Sequence, residues 1–530
     1  MSRCRLLLSG ALVVGTVAVP TATAVGSASA TSAPCDSWRA PVSGLWSNSG
    51  NWTGGVPGEG AATPVCITVP GSYTVTLAPW AAGTSDPAHP GASIPSLTLG
   101  ATQGPGKQTL LIDGLSSTSD SNEQVNNTFL STALPSLIRA RGRLVLATTE
   151  GGTKPKGVPY GGVATVSGGS FANYGTVTTT VQDLDNKAAN VTQFFGALTN
   201  ERGGTVVDRS GLLQVNSVTN KGTLTVAPKA SLDLIAQGPG SGLPSGVVTN
   251  SGTIENGGTI SAQGGTWSQL GGEVAGNPVI LQDSTTLMDR AGPGKFVANS
   301  GNANLVGTVP KGQTVTVIGT GLGLAGTTVV NNGALVLEAQ GPKTTGASAA
   351  IGNGTIRNNG NVIAEVVGHS TWAVNWQIGL TNNQAGRVTV TGGTLNEAGN
   401  GSDTNAGTVT VGPGAVWLLQ EGSAFTNQRG GKIVPEISGP TSVGQFAVQS
   451  PCCNGAGVVN AGGALVPALV GGYTPPANKD FPVVDLEGGK FAGTFGTVGA
   501  PFSADYTHET TTPAFVGVVY KSTKRKSNKA

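Results

Sequence analysis

A short phrase recurs along this chain: an apolar residue, one spacer, Asn, one to three residues, Gly, and then an alternation of β-branched residues or Leu. It reads Phe171-Ala172-Asn173-Tyr174-Gly175-Thr176-Val177, and again Val218-Thr219-Asn220-Lys221-Gly222-Thr223-Leu224. Further copies are anchored at Asn200, Asn250, Asn331, Asn358, Asn382, Asn405, Asn427 and Asn460. Anchors from Asn173 to Asn250 lie 27, 20 and 30 residues apart, and those from Asn331 to Asn460 lie 27, 24, 23, 22 and 33 apart. A repeat of that size, made of strand-like pieces and turn residues without helical periodicity, is the pattern of a solenoid. The expected fold is all-β: an elongated parallel β-helix, or β-solenoid, with an N-terminal cap and a C-terminal β closing module.

The physical reason lies in what one repeat lacks. Two or three short strands cannot bury their apolar side or pair their backbone groups alone. Stacked at roughly 4.8 Å, each strand pairs in parallel with its equivalents above and below. Val177, Leu224, Val226, Ile254, Leu335, Leu337, Val388, Val390, Val409 and Val411 then point into one narrow core. Asn tolerates left-handed backbone and bonds locally, so it suits the corner between two sheets, and equivalent Asn side chains can bond along the axis as a ladder. The competing reading is that Asn-x-Gly marks hairpin turns of a β-sandwich. The apolar residue two positions before Asn, present at nine of the ten anchors with Asp403 the exception, favours equivalent corners in stacked coils.

Composition agrees with a thin molecule. Only 11% of residues are charged, against about 25% in average globular proteins, and the 84 glycines fall between Val, Thr, Ile and Leu runs. Residues 1–30 carry Arg3 and Arg5, an apolar run from Leu6 to Val19 and the small-residue end Ala28-Ser29-Ala30, which reads as a cleaved secretory signal. No later segment approaches a membrane span, so none is expected in the mature chain, which should be extracellular, secreted or loosely wall-associated. Cys35, Cys66, Cys452 and Cys453 then remain. A Cys35–Cys66 bridge is the first expectation, while the neighbours Cys452 and Cys453 could form a vicinal disulfide or stay as thiols. Neither pair has zinc-site spacing.

With Lys521, Lys524, Arg525, Lys526 and Lys529 set apart in the last ten residues, 22 basic residues face 27 acidic ones over 31–520, a net of −5. That excludes a nucleic-acid-binding body. The basic tail could be drawn to anionic wall polymers, or serve only as a solvated end.

The phrase Trp46-Ser47-Asn48-Ser49-Gly50-Asn51-Trp52-Thr53-Gly54-Gly55-Val56-Pro57 resembles the opening segment of secreted bacterial β-solenoid proteins of actinomycete type. The Asn/Gly repeats resemble hemagglutinin-like and autotransporter passenger β-helices, and the module from Gly471 is similar to the piece that closes many of them. The resemblance implies architecture far more than activity. An autotransporter's own barrel would not fit in the roughly 60 residues after the repeats. The expected organisation is a signal at 1–30, a cap and first coils with loop insertions at 31–160, the repeat solenoid at 161–470, a β capping module at 471–520 and a basic tail at 521–530.

Parallel β-helices include many polysaccharide lyases and hydrolases, whose sites cluster carboxylates with Lys, Arg or His. Here His89, His369 and His508 lie in separate segments. Asp183-Leu184-Asp185-Asn186 is the densest acidic group but lacks the other ligands of a calcium loop. Gly321-Leu322-Gly323-Leu324-Ala325-Gly326 matches a dinucleotide fingerprint, yet strand-like residues follow where a helix is required. No metal, cofactor or catalytic residue is expected. Trp372, Trp376 and Trp417 could stack on sugar rings as glycan contacts, or fill the core of wide coils. The function these residues suggest is a non-enzymatic structural or adhesive module whose partners are cell-wall polymers or extracellular polysaccharide. The alternative is a polysaccharide-degrading enzyme on the same fold.

Overall fold

The computed structural model describes residues 35–58, 62–78, 91–114, 127–148, 162–181, 191–235, 246–340, 348–367, 373–397, 401–420, 422–449, 456–510 and 514–521. Among them there is no α-helix, only a 3-10 turn at Ser49–Asn51, and the strands build a long, almost wholly parallel β-solenoid.

One turn shows the plan. The strand Gly211–Asn220 bends at Asn216, so that 211–215 and 217–220 lie in different stacks, and Thr223–Val226 forms a third side. On the next turn Ala230–Ile235 pairs with 211–215, Val247–Asn250 with 217–220, and Thr253–Asn256 with Thr223–Val226. We call these the first, second and third stacks. Along each strand burial alternates: Leu224 and Val226 point inward, while Thr223 and Thr225 face out. That is the period-two pattern of a strand with one apolar face.

The phrase fades between Gly272 and Gly326 for a reason visible in the pairing. The third stack, which begins at Gly44–Leu45, ends as a nine-stranded ladder at Glu273–Gly276. Val279–Gln282 then pairs directly with Gly294–Ala298, Val279 opposite Phe296, after a turn of only two strands. Val274 N–H bonds Pro293 O, so the last strand of the ladder is capped by a connection rather than by a third-side strand. From there Gln313–Ile318, Ala334–Gln340 and Asn361–Val367 continue the first stack. In the N-terminal half the Asn corner lies between the second and third stacks. In the C-terminal half it directly precedes the first, so the corner has moved round the axis by one side.

Both ends are closed by aromatic packing. At the N-terminus Trp38, Trp46 and Trp52 are buried, with ring centroids 5.0 Å (Trp38–Trp52) and 4.8 Å (Trp46–Trp52) apart. Their indole N–H groups donate to the carbonyls of Val42 (3.0 Å), Pro57 (2.8 Å) and Trp46 (2.7 Å). Satisfied donors are what lets three tryptophans sit in a core. The Cys35–Cys66 disulfide ties the first strand to the second turn, with Cα atoms 5.8 Å apart and Ser37 opposite Cys66 in register. Cys452 and Cys453 lie outside the described residues. At the C-terminus pairing turns antiparallel: Phe515–Tyr520 lies between Asp480–Glu487 and Phe502–Asp505.

Candidate functional site

The Asn anchors form two buried columns. Asn173 Nδ2 donates to Asn200 Oδ1 at 2.8 Å, Asn200 to Asn220 at 2.8 Å, and Asn220 to Asn250 at 2.9 Å. The second column runs Asn331 to Asn358 (2.8 Å), Asn382 (2.8 Å), Asn405 (2.7 Å) and Asn427 (2.8 Å). Nδ2 of most members also donates to a main-chain carbonyl of the next turn, as Asn200 does to Thr223 O at 3.0 Å. Both amide hydrogens are thereby used without water. Gly222 follows Asn220 because a Cβ there would land on the carbonyl of Gly204 in the turn below.

Where the corner shifts, the column changes chemistry. Asn250 donates to Gln269 at 3.3 Å, Asp289 stands opposite Gln269 in register, and Gln313 Nε2 donates to Asp289. Asn331, which opens the second column, stands over Val309, and its Oδ1 is buried without a hydrogen-bond partner. Asn460 does not extend the column. The strand Val458–Asn460 is paired with Thr426 opposite Asn460, one residue out of line. The Asn460 side chain is therefore part-exposed and donates to Thr426 Oγ1 at 3.1 Å, while Asn427 donates to Gly462 O at 2.6 Å instead.

The glycan-contact reading of the tryptophans is corrected for two of the three. Trp376 and Trp417 are fully buried, because they occupy inward positions of Ala373–Asn382 and Val416–Leu419. Trp417 packs on Phe425 and Phe446 with centroids at 5.3 and 5.4 Å. No sugar ring can reach either face. Trp372 lies outside the described residues, as do His89, His369 and the Asp183, Asp185, Asn186 group. Gly321–Gly326 falls inside the strand Gly321–Asn331 with no helix after it, so it is not a phosphate-binding turn.

Sequence reading missed a set of carboxyl groups sealed in the interior. Trp417 Nε1 donates to Glu397 Oε2 at 2.9 Å, and Leu380 N–H donates to Asp403 Oδ1 at 2.8 Å. Burial drives both acids toward the protonated form: Glu397 rises to about 7, and Asp403 goes well above the usual range, pushed further by the Glu397 charge beside it. Two adjacent buried carboxyls are most stable sharing a proton. Asp208, held by Thr179 Oγ1 at 2.8 Å, is raised to about 8 by burial, and Asp289 to about 7. One signal was present: Asp403 stands where the other nine anchors carry an apolar residue, so it had to point inward.

The outer surface is where a partner can reach. Thr199, Thr219 and Thr249, each just before a column Asn, stand in register along the second side. Thr381, Thr404 and Thr426 do the same in the C-terminal half. A second row, Thr176, Thr205, Thr223 and Thr253, runs along the third side. Next to the second buried column lies an outer amide row, with Asn359 donating to Asn332 at 2.9 Å and Asn383 to Asn359 at 2.7 Å. A shallow depression of about 290 Å³ opens between Thr328, Thr355, Arg357, Thr381 and Ser402. The described surface thus offers long polar arrays on flat sides.

One further group of ionisable side chains comes together at the C-terminal end. His508 Nε2 lies 3.5 Å from Asp480 Oδ2 and 3.9 Å from Asp505 Oδ2. Burial and the neighbouring Asp505 raise the Asp480 carboxyl, whereas bonds from Thr507 lower that of Asp505.

Fold and surface together define the class: an all-β parallel solenoid with a sealed interior and hydroxyl- and amide-lined sides. No protein-family model matches the chain, and no curated protein matches it either. No described helix is long and apolar enough to cross a membrane.

Proposed function

We propose that this protein is a secreted or cell-surface solenoid acting as a structural or adhesive module that contacts cell-wall or extracellular polysaccharide through its flat sides. The observation that carries the reading is the in-register rows of outward Thr hydroxyls and Asn amides, placed on a scaffold in which two columns of buried Asn hold the Asn-bearing turns in line. A polysaccharide offers repeated hydroxyls along its length. A repeated array of donors and acceptors makes many weak bonds to such a chain at once, and their sum supplies affinity. The Cys35–Cys66 disulfide fits an oxidising compartment. Glu397, Asp403, Asp208 and Asp289 are closed off in the core, so they support an architectural reading better than a hydrolytic one.

The test is a glycan array and an insoluble-polysaccharide pull-down with the purified chain. Binding to at least one wall or matrix polysaccharide is expected, weakened several-fold by Thr355→Asp together with Thr381→Asp, which set like charges into the depression beside Arg357. Cleavage of any of these polymers at an appreciable rate, or retention unchanged by the paired substitution, would refute the reading.

A further inference from the structure

Three side chains of the closing sheet take no part in the solenoid's core or its outer rows. Asp480 opens the strand Asp480–Glu487, Asp505 ends Phe502–Asp505, and His508 follows in the next turn. The strand Phe515–Tyr520 lies between the two acids and carries Gly517 opposite both Asp505 and Pro482. A Cβ at 517 would land on Asp480 Oδ1, so glycine leaves the space that the carboxylate occupies. The His508 ring lies flat on Phe515, centroids 4.4 Å apart and planes 14° from parallel, which fixes the direction of its Nε2.

That nitrogen faces one oxygen of each acid, at 3.5 and 3.9 Å. Both separations exceed the 2.7–3.2 Å of ordinary N–H···O hydrogen bonds. They approach the roughly 3.4 Å edge of a tetrahedron with metal–ligand bonds of about 2.1 Å. All three ligand atoms lie within 4.8 Å of one another. The remaining oxygens sort themselves accordingly. Asp505 Oδ1 accepts from Thr507 N–H (2.8 Å) and Oγ1 (2.7 Å), which presents Oδ2 to His508. Asp480 Oδ1 is buried with no hydrogen-bond partner, beside a second carboxylate of like charge.

We propose that Asp480, Asp505 and His508 form a binding site for one divalent transition-metal ion of the zinc class. An imidazole with two carboxylates suits zinc and its neighbours, whereas calcium and magnesium take all-oxygen shells. Three protein ligands leave a fourth position for water. The bound ion joins Asp480–Glu487 to the end of Phe502–Asp505, across the strand that closes the solenoid, and so couples metal binding to the stability of that end.

The experiment is equilibrium dialysis of the full chain against Zn²⁺, with metal content measured, for the wild type, His508→Ala and Asp505→Asn. The wild type should retain one Zn²⁺ more than either variant at equal free metal, with at least tenfold weaker binding at this site in both. Zn²⁺ should raise the thermal midpoint of the wild type and leave the variants unmoved, while Ca²⁺ in excess should not displace it. Asp505→Asn preserves shape and the capacity to accept from Thr507, and circular dichroism of each variant confirms the fold. Equal Zn²⁺ retention by all three proteins, no retention by the wild type, or displacement by Ca²⁺ would overturn the proposal.

Discussion

At the residue scale the buried amide is the unit of specification. Each inner Asn accepts from one turn and donates to the next, so removing one leaves a donor below and an acceptor above unpaired in a dry core. An orphaned buried group costs about 1–3 kcal/mol. Asn358→Ala should therefore destabilise the protein by roughly 2–4 kcal/mol. Asn331→Ala should cost less, since Asn331 Oδ1 already has no partner and no donor below is lost. Denaturant titration of both variants checks the order; a larger loss for Asn331→Ala would contradict the account. The interior acids give a second residue-scale expectation. The folded-state values of Asp208, Asp289 and Glu397 lie near 7 to 8, above their unfolded values near 4. The unfolded chain therefore ionises first, so the stability these three groups contribute starts to fall above about pH 4 and is lost as the pH rises through about 8. The thermal midpoint should drop between pH 5 and 9. Asp208→Asn should flatten that fall, because the amide can still accept from Thr179 and no longer titrates.

At the scale of elements, the Cys35–Cys66 bridge closes a loop of 31 residues. Chain-entropy arithmetic gives such a crosslink roughly 3–4 kcal/mol. A Cys35→Ser, Cys66→Ser double variant should lose about that much from the N-terminal end alone, seen as faster amide exchange over 36–77 with 402–437 unchanged. How far the elements were legible in the sequence follows from what each depends on. The strands around Asn173 to Asn250 could be read because alternation and the Asn-x-Gly corner are local signals. The shift of the corner between Gly272 and Gly326 could not, because Val279–Gln282 and Gly294–Ala298 look like any other strands, and only their pairing shows that a side is missing. Asn460 failed for a related reason: the local phrase is intact, but the strand slipped by one residue. Trp376 and Trp417 were ambiguous because parity tells which residues share a face, not which face is inward. The Asp480, Asp505 and His508 group has no motif spacing at all and is assembled only by the antiparallel closure.

For the whole molecule, stability is close to a sum over turns, since each touches only its neighbours. Excising residues 201–220 joins Asn200 to Lys221 and removes one full turn, leaving Asn200 to donate to Asn250 across the scar. That variant should fold, with β circular dichroism intact and a melting transition still cooperative. Excising 201–210 removes about half a turn and puts the second stack over the first; it should disrupt the N-terminal half. Equal behaviour of the two deletions would contradict stacking by whole turns.

The displaced corner sets how such a body could meet its surroundings. The hydroxyl row of Thr199, Thr219 and Thr249 lies on the second side, while Thr381, Thr404 and Thr426 lie on the side that replaces the third. The N-terminal half also carries the row Thr176, Thr205, Thr223 and Thr253 on the third side, so it presents hydroxyls on two sides, one of them shared in direction with the C-terminal row. On the proposed adhesive reading, the N-terminal half would hold one fibre in common with the C-terminal half and a second on its other row, a branch point instead of a longer strip of glue.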